Sequence, residues 1–85
     1  MKTITTYQIK DAAKNCGVDK AVILQFIQEE WITPFDKNQL QLDDEDLERI
    51  KLIAELQDLG VNDDAVPIIL HLIDQLNLYH QGLRH

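Results

Sequence analysis

The feature that most constrains this sequence is a helix over residues 43–59 that carries both a start signal and a stop signal. Asp43 is a favourable N-cap, and Asp46 three residues later completes a capping box, in which each side chain accepts a hydrogen bond from the other residue's backbone N–H. Gly60 is the expected left-handed stop, after which Val61 folds back onto the last turn. Because both ends are defined, we predict that the rest of the chain packs around this helix.

The faces of this helix are unequal. At about 100° per residue, five of its charged side chains fall on one narrow stripe. This acidic stripe consists of Asp44, Glu48, Lys51, Glu55 and Asp58. Apolar residues cover most of the remaining circumference, so the helix is predicted to be a central strut that is buried on more than one side.

The helix that follows is more apolar than a single buried face requires. We expect it to begin late, near Pro67, because proline is tolerated only in the first turn of a helix. A small domain rarely leaves a contiguous apolar surface on the order of several hundred Å² bare. The surplus face is therefore covered either by the N-terminal half or by another molecule, and we expect a homodimer.

The charge of the chain is unevenly distributed. Residues 1–40 hold five lysines and five acids, whereas residues 41–85 hold ten acids against three basic residues and carry the whole net charge of −7. Such a half is expected to repel nucleic acid and to attract a basic protein surface. Solvated helix faces and caps are the alternative explanation for at least half of these acids.

Length and composition favour one small domain in a reducing compartment. Eighty-five residues suit a single domain, and no apolar run approaches the roughly 18 residues of a membrane-spanning helix. The N-terminal segment lacks the apolar core of a signal peptide. The lone cysteine, Cys16, excludes a disulfide framework, and its helical spacing from Ile9 and Ala12 predicts a small core residue.

The first half of the chain has the pattern of a helix-turn-helix. A helix over residues 9–16 ends at Gly17, and a second helix runs to about Glu30. Ala13, Gly17 and Ile23 have the required offsets, because the small residue allows close approach, the glycine makes the turn and the branched residue fixes the second helix.

A small wing is predicted between the two halves. We expect two short strands, at about 31–35 and 39–42, around a turn at 36–38, with Trp31 fixing the wing to the core. An exposed binding role is the alternative for this tryptophan. The predicted fold is mostly α, a winged helix-turn-helix with four helices and a two-stranded wing. The single domain 1–85 divides into a helix-turn-helix (7–30), a wing (31–42) and two C-terminal helices (43–80).

Candidate metal and catalytic sites receive little support. His71 and Asp74 lie one helical turn apart, but no second pair of residues stands at ligand spacing. We find no Ser/His/Asp or Cys/His constellation, no glycine-rich phosphate loop and no HExxH motif. The sequence therefore predicts no metal, no cofactor and no enzymatic activity.

The order of these elements resembles the MerR superfamily of winged helix-turn-helix proteins. The resemblance is carried by YQIKDAAKNCGV, WITP and LDDEDLERIKLIAELQDLGV, which together cover most of the chain. Within that superfamily, the run GVNDDAVPIILHLIDQL is similar to the short members of the chaperone modulator branch, the CbpM family. The resemblance therefore implies a MerR-like fold.

The resemblance also implies a function. CbpM-type proteins are small, non-enzymatic modulators that bind the J-domain of a DnaJ-like (CbpA-type) co-chaperone and restrain its action on DnaK. A bacterial cytoplasmic location follows, with nucleoid association only through the partner. Because a J-domain presents a basic helix, we expect the two C-terminal helices to carry the interface. The predicted partner-binding residues are Asp44, Glu48, Glu55, Asp58, Asp74, Leu78 and Tyr79.

The alternative is a small MerR-type transcriptional regulator that binds DNA. Such regulators carry an arginine and aromatic residues in the recognition helix, in a run like TxRYYE. The corresponding run here is VILQFI, with Leu24 at the arginine position. The DNA-contacting residues of this alternative are Lys20, Gln25, Gln28 and Lys37. Phosphate contacts dominate DNA affinity, so tight binding to duplex DNA is not expected. A phage excision or antitoxin-like protein, the third reading, usually has a basic wing, which is missing here.

Overall fold

The computed structural model describes residues 4–83, with side chains up to residue 77. These residues form four α-helices, as the sequence predicted. They are α1 (Ile9–Cys16), α2 (Lys20–Gln28), α3 (Asp44–Asp58) and α4 (Val66–Leu83). One turn of 3-10 helix, Asp63–Ala65, leads into α4 and places Pro67 in its first turn, where proline is tolerated.

The turn between α1 and α2 is the predicted helix-turn-helix. Gly17 adopts φ 70°, a left-handed conformation that favours glycine, and the N–H of Val18 donates to the Ala13 carbonyl at 3.1 Å. Ala13 is buried between the helices, and Ile23 is fully buried. The small residue, the glycine and the branched residue therefore have the roles that their spacing indicated.

Helix α2 ends at Gln28, two residues earlier than predicted. Glu30 adopts φ 62°, its N–H donates to the Ile27 carbonyl, and the N–H of Trp31 donates to the Phe26 carbonyl, both at 3.0 Å. This is a Schellman motif in which a glutamate occupies the position that usually holds glycine. The Trp31 ring packs on Phe26 with a centroid distance of 5.7 Å, so the tryptophan is a core residue, as predicted.

The prediction of two strands at 31–35 and 39–42 is wrong. Between residues 4 and 83, strand pairing is limited to isolated bridges. Asp36 and Gln41 pair across a tight turn, with N···O distances of 3.0 Å in both directions. We refer to residues 31–42 as the wing segment.

Competing hydrogen-bond partners explain the missing strands. Pro34 has no N–H to donate, and the N–H of Phe35 donates to the Asp46 carboxylate at 3.0 Å. Leu42 exchanges two backbone hydrogen bonds with Tyr7, at 2.7 and 2.9 Å. The start of α3 is therefore tied to the N-terminal segment, and the wing segment is held by a side chain instead of a β-ladder.

Both predicted ends of α3 are confirmed. The Asp43 carboxylate accepts the Asp46 N–H at 2.9 Å, and the Asp46 carboxylate accepts the Asp43 N–H at 3.1 Å, which completes the capping box. At the other end, Gly60 adopts φ 86° and the N–H of Val61 donates to the Leu56 carbonyl at 3.0 Å.

The core is formed by α1, α2, the wing segment and α3, and α4 contributes less to it. The buried apolar side chains are Ala12, Ala13, Ile23, Phe26, Trp31, Ile32, Leu42, Leu47, Ile50, Ile53, Val66 and Leu70. Only Val66 and Leu70 of this set come from α4. Every helix among the described residues is too short or too polar to span a lipid bilayer.

Candidate protein-binding surfaces

The acidic stripe lies on the solvent face of α3. All five of its members are exposed, whereas Leu47, Ile50 and Ile53 form the buried face of the same helix. The helical periodicity of the sequence therefore predicted the position of the stripe. Its role in partner binding stays a prediction.

Asp44, at one end of the stripe, already has a partner within the chain. The Tyr7 hydroxyl donates to the Asp44 carboxylate at 2.8 Å. This hydrogen bond raises the pKa of Tyr7, and slight desolvation and the negative charge of Asp44 act in the same direction. Asp44 therefore helps to hold the N-terminal segment on α3, a role that the sequence did not indicate.

Asp74 is also occupied, because it pairs with Arg49. The guanidinium donates to both oxygens of the Asp74 carboxylate, at 2.9 and 3.3 Å, and its Nε donates to the Trp31 carbonyl at 2.8 Å. One side chain of α3 thus connects α4 to Trp31, the first residue of the wing segment. The sequence analysis did not predict this role of Arg49. The one feature that could have indicated it is that Arg49 lies outside the acidic stripe, on a different face of α3.

The elements that Arg49 connects enclose an open cleft of about 780 Å³. We refer to it as the acidic cleft. Its apolar lining is the buried Trp31 with the half-buried Leu52 and Ile73, and its charged lining is Glu30, Glu45, Asp46, Glu48, Arg49 and Asp74. Glu48 belongs to both the cleft and the acidic stripe. This cleft depends on the docking of α4 and was not predicted.

The outer face of α4 is apolar and exposed. Ile68, Leu72 and Leu76 follow each other at one-turn intervals and are 63%, 61% and 55% exposed. The alternative that the N-terminal half covers this face is therefore wrong. The side chains of Leu78 and Tyr79, two predicted partner-binding residues, lie outside those that the structure describes.

The surface of α2 offers little to a phosphate backbone. The four residues of the DNA-binding alternative, Lys20, Gln25, Gln28 and Lys37, are all exposed. Leu24 stands between them and is 45% exposed, at the position where the DNA-binding alternative expects an arginine. The exposed acids of the same helix and its ends are Asp19, Glu29 and Glu30. This surface is therefore neutral to acidic and lacks the anchors on which DNA affinity depends.

The remaining reactive side chains are explained by packing. In the described part of the chain, no group of three or more His, Cys, Asp or Glu residues could hold a metal ion. Cys16 is half-buried against the core and its thiol donates to the Leu47 carbonyl at 3.6 Å. Burial raises the pKa of this thiol, with a smaller opposing effect of Lys51, so little reactive thiolate forms near neutral pH.

A family model described as MerR HTH family regulatory protein matches residues 7–85. No curated protein and no solved structure matches the chain.

Proposed function

The chain belongs to the MerR HTH family of regulatory proteins, and we propose that within this family it is a non-enzymatic chaperone modulator of the bacterial cytoplasm. Its proposed partner is the J-domain of a DnaJ-like co-chaperone, whose action on DnaK it restrains. The choice of this partner comes from the resemblance of GVNDDAVPIILHLIDQL to the CbpM family.

The observation that carries this proposal is the net negative charge of the exposed acidic stripe. Lys51 is its one cation against four carboxylates, and among residues 4–77 the only ion pair joins Arg49 to Asp74, so the stripe keeps an excess of exposed carboxylates. A basic helix supplies the missing charge, and complementary potentials accelerate association and select partners by charge.

The test is calorimetric titration of the protein with the purified J-domain from the same organism at two salt concentrations. We expect a dissociation constant of about 1 μM or lower that rises with salt. Absence of binding would overturn the proposal. Tight binding that is indifferent to salt would keep the function and move the interface to the apolar face of α4.

A matched pair of double variants tests the role of the stripe. The stripe variant combines Glu48→Gln with Glu55→Gln. The control combines Asp11→Asn with Glu29→Gln, and so removes the same charge from exposed positions outside the stripe. The stripe variant is expected to weaken J-domain binding by about three- to tenfold, and the control by less than about twofold. Equal effects would mean that only the net charge matters.

We also propose that the protein is a homodimer that uses the exposed face of α4. Replacing Leu72 with glutamate places a charge in the centre of that face, and His71→Glu places the same charge at the neighbouring exposed position as a control. Sedimentation is expected to detect a dimer for the wild type and the control, and a monomer for Leu72→Glu. A monomer mass at all concentrations of the wild type would rule the dimer out.

The DNA-binding alternative is tested by gel shift on duplex DNA. With Lys20 and Lys37 as the cations of this surface and three acids beside them, we expect no complex at physiological salt. A complex of about micromolar affinity that is lost in Lys20→Gln would favour the transcriptional regulator.

A further inference from the structure

We propose that the acidic cleft, and not the outward acidic stripe as a whole, is where the basic partner docks. The occupant is an amphipathic helix that places an apolar side chain against Trp31, Leu52 and Ile73 and its lysines or arginines beside the carboxylates of the rim. The identification of this helix with the basic helix of a J-domain rests on the proposed function.

The charge of the cleft selects a basic occupant. Glu30, Glu45 and Glu48 line it as exposed carboxylates, and none of them is paired with a cation in the described part of the chain. Arg49, the basic residue of the lining, already forms an ion pair with Asp74. The cleft therefore offers three carboxylates without a free counter-charge in its lining, and a basic helix is the complement of this arrangement.

The apolar lining distinguishes the cleft from the rest of the stripe. Exposed ion pairs contribute little to affinity because both charges stay hydrated, and binding energy comes mainly from apolar anchors that become desolvated. The half-buried Leu52 and Ile73 provide such a surface next to the carboxylates, together with the 7% of Trp31 that stays exposed. Glu55 lies on the stripe but outside the lining of the cleft.

The cleft is held in shape before a partner arrives. The Arg49 guanidinium binds Asp74 on α4, and its Nε binds the Trp31 carbonyl at the other wall, with donor–acceptor distances from 2.8 to 3.3 Å. A preorganised cleft loses less conformational entropy on binding than one that must first be assembled.

Two matched pairs of charge reversals test the location. Glu30→Lys and Glu48→Lys change the cleft, whereas Glu29→Lys and Glu55→Lys change exposed residues on the same elements outside it. Because lysine has a Cβ, as glutamate does, Glu30→Lys does not change the conformational strain of the left-handed backbone at this position. We expect each cleft variant to weaken J-domain binding by about tenfold or more, and each control by less than about threefold.

The intrinsic fluorescence of Trp31, the only tryptophan of the chain, provides a second readout. A tryptophan-free J-domain that enters the cleft is expected to change this emission, and the change is lost in Glu48→Lys but kept in Glu55→Lys. If the wild type binds and all four variants weaken binding equally without a change in emission, the cleft location is overturned and the proposed function stands.

Failure of the proposed function gives a different pattern. If the wild type binds no J-domain, the partner is wrong, and the cleft is then probed with a synthetic, tryptophan-free amphipathic peptide that carries lysines on one face. A Trp31 response that depends on Glu30 and Glu48, but not on Glu29 and Glu55, supports a cleft for basic helices. No response to the peptide as well would overturn it.

Discussion

The backbone N–H of Phe35 donates a hydrogen bond of 3.0 Å to the carboxylate of Asp46, eleven residues further along the chain. The same carboxylate oxygen accepts the N–H of Asp43 at 3.1 Å, within the capping box of α3. One side chain therefore both starts the central helix and anchors the wing segment. This connection takes the place of the β-ladder that a winged fold leads one to expect.

Asp46 is accordingly expected to matter more for stability than a single helix cap. Asp46→Ala removes acceptors for two backbone N–H groups and should lower the free energy of unfolding by about 2 kcal/mol. Urea unfolding followed by Trp31 fluorescence measures it. Glu45→Ala, in the same turn but without a side-chain hydrogen bond in this structure, is the control and should cost about 0.5 kcal/mol through the helix dipole. Equal losses would contradict the anchoring role.

Glu30 is expected to be a position where glycine stabilises the protein. Its φ of 62° is unfavourable for a residue with a Cβ, by about 1–2 kcal/mol, and glycine recovers this at a smaller entropic cost in the unfolded chain. We expect Glu30→Gly to raise the free energy of unfolding by about 0.5–1 kcal/mol.

The neighbouring Glu29 provides the control for that substitution. Its φ of −76° is helical, so Glu29→Gly should instead lower stability by about 0.5–1 kcal/mol. Chemical unfolding of both variants under the same conditions gives the comparison. A gain in both, or a loss in both, would mean that the left-handed conformation at Glu30 does not determine the result.

Helix ends were predictable where their signals are local. Asp43, Asp46 and Gly60 lie within a few residues of the ends that they define, so the capping box and the stop of α3 could be predicted from sequence alone. The end of α2 was predicted too late because Glu30 carries no glycine signal. Its left-handed turn is stabilised by the packing of Trp31 on Phe26, which depends on the folded core.

The wing segment and the cleft depend on long-range partners. The Asp46 carboxylate accepts the N–H of Phe35, and Tyr7 exchanges two backbone hydrogen bonds with Leu42. Both partners lie outside residues 31–42, so the periodicity within that segment could not predict these hydrogen bonds. The exposure of the acidic stripe followed from the helical period. The cleft beside it did not, because it exists only once α4 has docked.

Arg49 is expected to determine how firmly α4 is held. Arg49→Met keeps most of the apolar stem but removes the bonds to Asp74 and to the Trp31 carbonyl, and should cost about 1–2 kcal/mol. The exposed Lys51→Met on the same helix is the control, with an expected change within about 0.5 kcal/mol. Amide hydrogen exchange should become faster in α4 for Arg49→Met alone.

The contribution of Asp74 should be smaller than that of Arg49. Asp74→Asn retains a hydrogen-bond acceptor and leaves the Arg49–Trp31 bond intact, and the Asp74 side chain is 49% exposed, so solvent screens the pair. We expect a loss of about 0–1 kcal/mol, smaller at high salt. A loss as large as that of Arg49→Met would assign the whole effect to the ion pair and none to the bond with Trp31.

The hydrogen bond between Tyr7 and Asp44 should be visible in the titration of the tyrosine. The bond raises the pKa of Tyr7 above its ordinary value of 10.0, so the folded chain holds the phenol proton more tightly than the unfolded chain. The resulting stabilisation is present below pH 10.0 and is lost as the pH rises through the raised pKa of the folded chain.

Asp44→Asn should lower the Tyr7 pKa, whereas Asp58→Asn, an equal change of charge further along α3, should leave it as in the wild type. Carbon-13 NMR titration of the tyrosine ring in a Tyr79→Phe background, where Tyr7 is the remaining tyrosine, measures both, and equal titration curves for the two variants would contradict a specific bond.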